Sequence, residues 1–282
     1  MIVRVLERDP HVTPLGVRFH DTVTGALVSD GLVVTHPVTR PPGRAAAIVT
    51  PSGAFVASGF PGLRAAELGA GDEPYWDAPP ASGRYTIEVE DTRGRFHAFR
   101  FDADLPARGD FELTCVETHS PPLGHGSVPL FSTPARTVVA GAAAVRADVW
   151  DVEADAPASW AVVEATPAGG PTAVGVADAR GSVVVILPYP EPAVADGSPP
   201  GQPVPLAQQS WPLDLRVLYE PAAPPPVVPD LCDVLEQAEA TVVAAESPPT
   251  ALTTATLEFG REVVLRTAGR AELLVVPAGS HL

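Results

Sequence analysis

The sequence predicts an all-β protein: two antiparallel Greek-key β-sandwich modules and a C-terminal β-hairpin tail, with little helix. Three observations lead there. Apolar and polar residues alternate with period 2 in several short runs. Proline and glycine, 34 and 24 of the 282 residues, punctuate those runs and argue against long helices. A V-x-D-x-R-G hexapeptide occurs twice, around Asp91 and Asp178, at a spacing that suits a duplicated sandwich of about 100 residues.

In the first module, residues 1–118, strands are expected at 12–19, 31–36, 45–49 and 54–58, divided by turn residues such as Thr24-Gly25, Pro42-Gly43 and Pro51-Ser52-Gly53. The clearest pair follows. Tyr85, Ile87 and Val89 alternate with polar neighbours over 84–90, Asp91-Thr92-Arg93-Gly94 makes a turn, and 96–101 forms the return strand of a hairpin. A Pro/Gly linker is expected over 119–136. The second module, 137–220, carries strands near 137–140, 145–151, 160–165, 183–187 and 211–219, with Trp150 and Trp160 placed to fill its core. A Pro-rich loop at 188–205 interrupts it. A polyproline spacer at 221–229 leads to the docking segment 230–282, which opens on a short helical stretch around 229–237. There the runs 258–266 and 271–276 flank Thr267-Ala268-Gly269-Arg270 and read as a hairpin. Two strands alone are marginal in water, so this hairpin must pack on the second module or on a neighbouring subunit.

Composition excludes some functions. All 18 basic residues are arginine, against 34 acidic ones, and the net charge is −16. Nucleic-acid and anionic-membrane affinity both rest on basic groups, so neither partner is expected. The two cysteines, Cys115 and Cys232, make no CxxC motif and read as two unpaired thiols in a reducing cytoplasm, with their pairing left open. The charged N-terminus lacks the apolar run of a signal peptide, and no stretch is long and apolar enough to span a membrane. The expected location is therefore the cytoplasm.

No catalytic motif emerges. The seven histidines form no metal-ligand spacing, and His119 with His125 read as chance residues of an exposed linker. There is no G-x-S-x-G elbow, Walker loop or dinucleotide fingerprint. Gly69-Ala70-Gly71-Asp72 precedes neither a lysine nor a helix, and Arg108-Gly109-Asp110 is a tripeptide with nothing else to support adhesion. No enzyme activity, cofactor, metal or small-molecule substrate is expected. Tyr75 and Trp76 among Asp72, Glu73 and Asp77 suit a sugar, a calcium ion or a docking contact. The residues expected at a partner are Trp211, Phe259, Val263, Leu265, Leu273 and Val275, with Tyr75 and Trp76.

Val149-Trp150-Asp151 and the Asp178-Ala179-Arg180-Gly181 turn, entering a strand that ends Leu187-Pro188, resemble the carboxypeptidase-regulatory-like sandwiches, an accessory and usually non-catalytic fold. Leu187-Pro188-Tyr189-Pro190-Glu191-Pro192, Gln208-Gln209-Ser210-Trp211-Pro212-Leu213 and residues 260–270 resemble accessory proteins of contractile injection systems. The second resemblance implies a structural adaptor at the cap end of a phage-tail-like particle. Its partners would be tail-terminator or cap, sheath or baseplate proteins, in a particle made in the cytoplasm and released on lysis. A peripheral baseplate subunit and a carbohydrate- or ligand-binding β-module are the alternatives.

Overall fold

A computed structural model describes residues 12–68, 82–107, 109–119, 123, 126–192, 205–246 and 249–279. The fold is all-β. The first body layers a three-stranded sheet, β1 (Leu15–Val17), β6 (Phe55–Ala57) and β5 (Ile48–Val49), against a four-stranded sheet. The second sheet has the order β4 (Pro42–Ala46), β3 (Leu32–Thr39), β7 (Gly83–Asp91) and β8 (Phe99–Leu105). The alternation that predicted β7 and β8 is realised: Ile87 faces Phe101 and Val89 faces Phe99 across an antiparallel ladder, all four buried.

The Pro/Gly stretch expected to be a linker returns into the first body instead. Its Val128–Leu130 forms β9, fully buried and parallel to β2 (Phe19–Asp21). Arg136 then closes this region by donating to both carboxylate oxygens of Asp21, at 2.7 and 2.6 Å. Pro129 disguises the strand in the sequence, because proline usually marks a sheet edge or a turn.

The second body is a sandwich organised around β10 (Ala142–Asp151), which pairs with β14 (Ser182–Pro188) on one side and β20 (Leu273–Val276) on the other. Its other layer comprises β13 (Ala173–Val176), β12 (Val162–Pro167), β15 (Ser210–Leu218) and β18 (Thr254–Glu258). The long strand β16 (Glu239–Glu246) pairs with β15 at its start and β20 further on, so it turns the corner between layers. β11 (Ala156–Pro157) extends β10, and β17 (Pro249–Ala251) extends β16. Residues 137–140, expected as a strand, form none: Ala142 N–H bonds Val139 O in a turn that leads into β10.

The C-terminal runs are strands, but not a hairpin. β19 (Val263–Val264) and β20 both run parallel to β10, beside residues 145–146 and 149–151 respectively. The Thr267–Arg270 turn between them is an excursion closed by Thr267 N–H to Glu272 O at 3.0 Å. Helix is confined, among the described residues, to α1 (Arg64–Glu67), α2 (Thr114–Thr118), α3 (Leu231–Leu235) and a 3₁₀ turn at Leu206–Gln208. Asp230 caps α3 by accepting from Cys232 and Asp233 N–H.

The repeated hexapeptide builds one turn twice. Asp91 accepts from Arg93 and Arg95 N–H, and Asp178 from Arg180 and Ser182 N–H. In each, the glycine three residues on donates to the aspartate carbonyl with φ positive, +66° at Gly94 and +79° at Gly181. The topology differs, since β7 pairs with β8 whereas β13 and β14 pair with different strands. The two glycines also differ in surroundings. A Cβ at Gly181 would meet Val149 O at 2.3 Å, whereas one at Gly94 meets nothing within 4 Å. Gly181→Ala is expected to cost about 3 kcal/mol and Gly94→Ala about 1 kcal/mol, measured by urea unfolding.

Candidate functional site at the module junction

The seam between the two bodies is closely tied. One buried cluster crosses it, joining Phe19, Phe99 and Phe101 of the first body to Trp160, Val162, Val176 and Leu218 of the second. The C-terminal segment crosses it again: α3 inserts Leu231, Val234 and Leu235 into the first body's core before β16 returns to the second. Arg100 N–H donates to Pro229 O at 2.9 Å, and Cys115 of α2 is disulfide-bonded to Cys232 of α3. The expectation of two unpaired thiols is thereby corrected. Their 117-residue separation hid a contact that only the tertiary fold creates.

Trp160 is the wedge of the seam. Its φ is +64°, a backbone state that bulky residues rarely adopt, and it is held there from several directions. The indole N–H donates to Pro226 O at 3.0 Å, and Gln237 Nε2 donates to Trp160 O at 2.9 Å. The His97 ring meets the indole edge-on at 5.9 Å. The polyproline stretch expected as a free spacer is thus bound along the junction. Trp160 packs at the seam and not within the second module's own core.

Histidines bridge the joint. His97 of the first body donates from Nε2 to Val176 O in the second at 3.0 Å. His119 lies buried, its Nε2 3.0 Å from Glu164 of β12, and Arg216 contacts the other Glu164 oxygen at 3.2 Å. This corrects the exposed-linker reading of His119; His125 lies outside the described residues. His20 is fixed between Ser127 Oγ and Leu123 O.

Burial holds His97 below the ordinary histidine range, outweighing its bonds to Val176 and Ser132 and the field of Asp178. Burial lowers His20 and His36 as well. Groups depressed in the folded state bind protons more readily when unfolded. Their stabilisation is complete above about pH 6.5 and is lost as the pH falls below it. The urea midpoint is expected to fall between pH 7 and pH 5, and His97→Gln to flatten that slope. A midpoint independent of pH over this interval would contradict the burial of these rings. Asp21 acts at lower pH. Burial alone would raise it, but bonds from Arg136, Val23 N–H and Thr24 hold it below the usual carboxylate range.

The residues expected at a partner surface fall as follows. Leu265, Leu273 and Val275 are buried in the second body's own core, together with Trp211, whose indole N–H donates to Glu191 O. Phe259 and Val263 are half-buried against the same core, the Phe259 ring tilted against Tyr189 with centroids 4.6 Å apart. These tail residues therefore serve the chain's own fold; large exposed apolar side chains lie at Ile48, Val49 and Val227 among others, and within the tail at Val264. Tyr75 and Trp76, with Asp72, Glu73 and Asp77, lie outside the described residues. Sequence reasoning missed the seam residues because nothing local marks them: Trp160 looks like core, and Gln237 like surface.

Among the described residues, no set of three or more His, Cys, Asp or Glu side chains is arranged to hold a metal ion. No helix among them is long and apolar enough to cross a membrane.

No protein-family model matches the chain, and no curated protein matches it. Solved structures to which it is similar include the Bacillus anthracis TIE protein, 8% identical, over 95% of this chain and 34% of that one, with a TM-score of 0.25. The chain thus spans about a third of that protein's length. The shaft pilin SpaA from Lactobacillus rhamnosus GG is also similar, 8% identical, over 95% of this chain and 98% of that one, with a TM-score of 0.24. Likeness at this level carries no argument about function.

Proposed function

We propose that the protein is a non-catalytic structural adaptor that joins subunits of a contractile, phage-tail-like particle, acting at its cap end. The observation that carries the adaptor reading is the welded seam. A shared core and an inserted helix hold two sandwich bodies in one fixed relation, as a part that spaces and orients its neighbours requires. The particle context rests on the sequence resemblance of residues 187–192, 208–213 and 260–270. The tail is the weaker docking element, because Leu265, Leu273 and Val275 are buried in the second body's core. The better contact is the edge of β5. Among the described residues this strand pairs only with β6, and it exposes Ile48 and Val49 to 71% and 44%. A neighbouring subunit's strand added there would satisfy the edge.

Native pull-down of the tagged protein from its host, viewed by negative-stain electron microscopy, tests this reading. Sheathed rods or caps should co-purify, and Ile48→Asp/Val49→Asp should release the protein from them while leaving its circular dichroism unchanged. A small homogeneous species without co-purifying proteins would contradict it.

A further inference from the structure

We infer that Cys115–Cys232 is a redox latch between the two bodies, worked by small thiols from the Cys232 side, and that the acidic groove around it selects against anionic ones. The inference stands apart from the proposed function, since it concerns the seam whatever the protein joins.

Placement comes first. The bond closes no loop within one strand layer; it ties α2 of the first body to the helix that the C-terminal segment inserts there. That helix is also docked without covalent help, by the buried Leu231, Val234 and Leu235, by its Asp230 cap and by the Arg100–Pro229 hydrogen bond. An open latch therefore leaves a folded protein with a looser joint. Access comes second. Cys115 is 3% exposed, whereas Cys232 is only partly buried, and both line a groove of about 530 Å³ between β8 and the two helices. An incoming thiolate reaches the Cys232 sulfur and expels the Cys115 thiolate. Charge comes third. Six carboxylates line the groove, Asp102 and Asp233 among them, against two guanidinium groups, Arg84 and Arg100. Arg84 and Asp104 offset each other through paired hydrogen bonds of 3.0 Å, which leaves five carboxylates against Arg100. A negative groove repels an anionic nucleophile, and salt screens the repulsion.

The chemistry is two thiol–disulfide exchanges. To open the latch, RS⁻ attacks Cys232 Sγ, forming a Cys232–S–S–R mixed disulfide and freeing the Cys115 thiolate. A second RS⁻ attacks the R-bearing sulfur, forming RSSR and releasing the Cys232 thiolate, and both protein thiolates take up protons. Closing is the reverse, with a low-molecular-weight disulfide as oxidant and two RSH as products. In a reducing compartment the latch stands open; outside it, closed.

The test begins with thiol titration of aerobically purified, denatured protein, which should show no free thiol, and two after reduction. Reduction is then timed with cysteamine, whose thiolate is net neutral, and 2-mercaptoethanesulfonate, whose thiolate is doubly negative. Each rate is normalised to its rate on 2-hydroxyethyl disulfide. In 10 mM salt the anionic reagent should be about tenfold slower, and in 0.5 M salt the two should agree within about twofold. Asp102→Asn/Asp233→Asn should speed the anionic reagent in low salt, and mass spectrometry should find the trapped mixed disulfide on Cys232. The reduced protein should keep its far-ultraviolet circular dichroism, melt about 10 °C lower and exchange amide hydrogens faster over residues 229–236. Two free thiols before reduction, equal normalised rates in low salt, or outright unfolding on reduction would each overturn the inference.

Discussion

Truncation of the chain at residue 262 is expected to unfold the second body, not to release a tail. The deleted segment carries Leu265, Leu273, Leu274, Val275 and Val276, all at most 4% exposed, and β20 lies hydrogen-bonded between β10 and β16. Burial of five such side chains is worth about 10 kcal/mol at about 2 kcal/mol each. That is comparable to the whole stability of an ordinary domain, about 5–15 kcal/mol. Residues 1–262 should therefore lose protection from limited proteolysis throughout 142–246, whereas Val264→Asp, at a half-exposed site of the same segment, should leave the fold intact. A truncated protein with unaltered proteolytic resistance would show that the segment is dispensable. Deletion of 230–282 likewise removes α3, β16 and β20, so it cannot separate docking from folding.

Trp160→Ala is expected to cost about 4 kcal/mol, within the range for emptying a large aromatic site. The substitution removes the indole bond to Pro226 O and the edge contact with His97, so both faces of the seam lose their wedge. The positive φ makes a sharper prediction. At an ordinary core position glycine is worse than alanine; here Trp160→Gly should be less destabilising than Trp160→Ala by about 1 kcal/mol, because glycine accepts φ of +64° freely. Denaturant unfolding of the two variants decides it, and the opposite order would mean that the backbone at residue 160 relaxes when the ring is removed.

Legibility in the sequence followed locality. The β7–β8 hairpin was readable because its partners adjoin in the chain and the intervening turn carries its own chemistry in Asp91 and Gly94. The strand through Trp211 was readable from the alternation of Leu213, Leu215 and Val217. Period-2 alternation identifies a strand but not its neighbour, however. Residues 263–264 and 273–276 look like two arms of a hairpin, and each instead lies parallel to β10, more than a hundred residues earlier. The same reason hid the cysteine pair and the His119–Glu164 contact. Both connect residues whose proximity exists only after the two bodies have met. The strand β9 was hidden by composition, since three residues centred on Pro129 carry too short a pattern to outweigh the surrounding Pro and Gly. As for the candidate site, the sequence signalled tail residues as apolar and alternating, which is equally the signature of a core strand.

The two bodies should behave as one mechanical unit in differential scanning calorimetry of the oxidised protein. A single transition, with calorimetric and van't Hoff enthalpies in agreement, is the predicted result. Two separable transitions, one for each sandwich, would contradict it and return the seam to the status of a flexible joint.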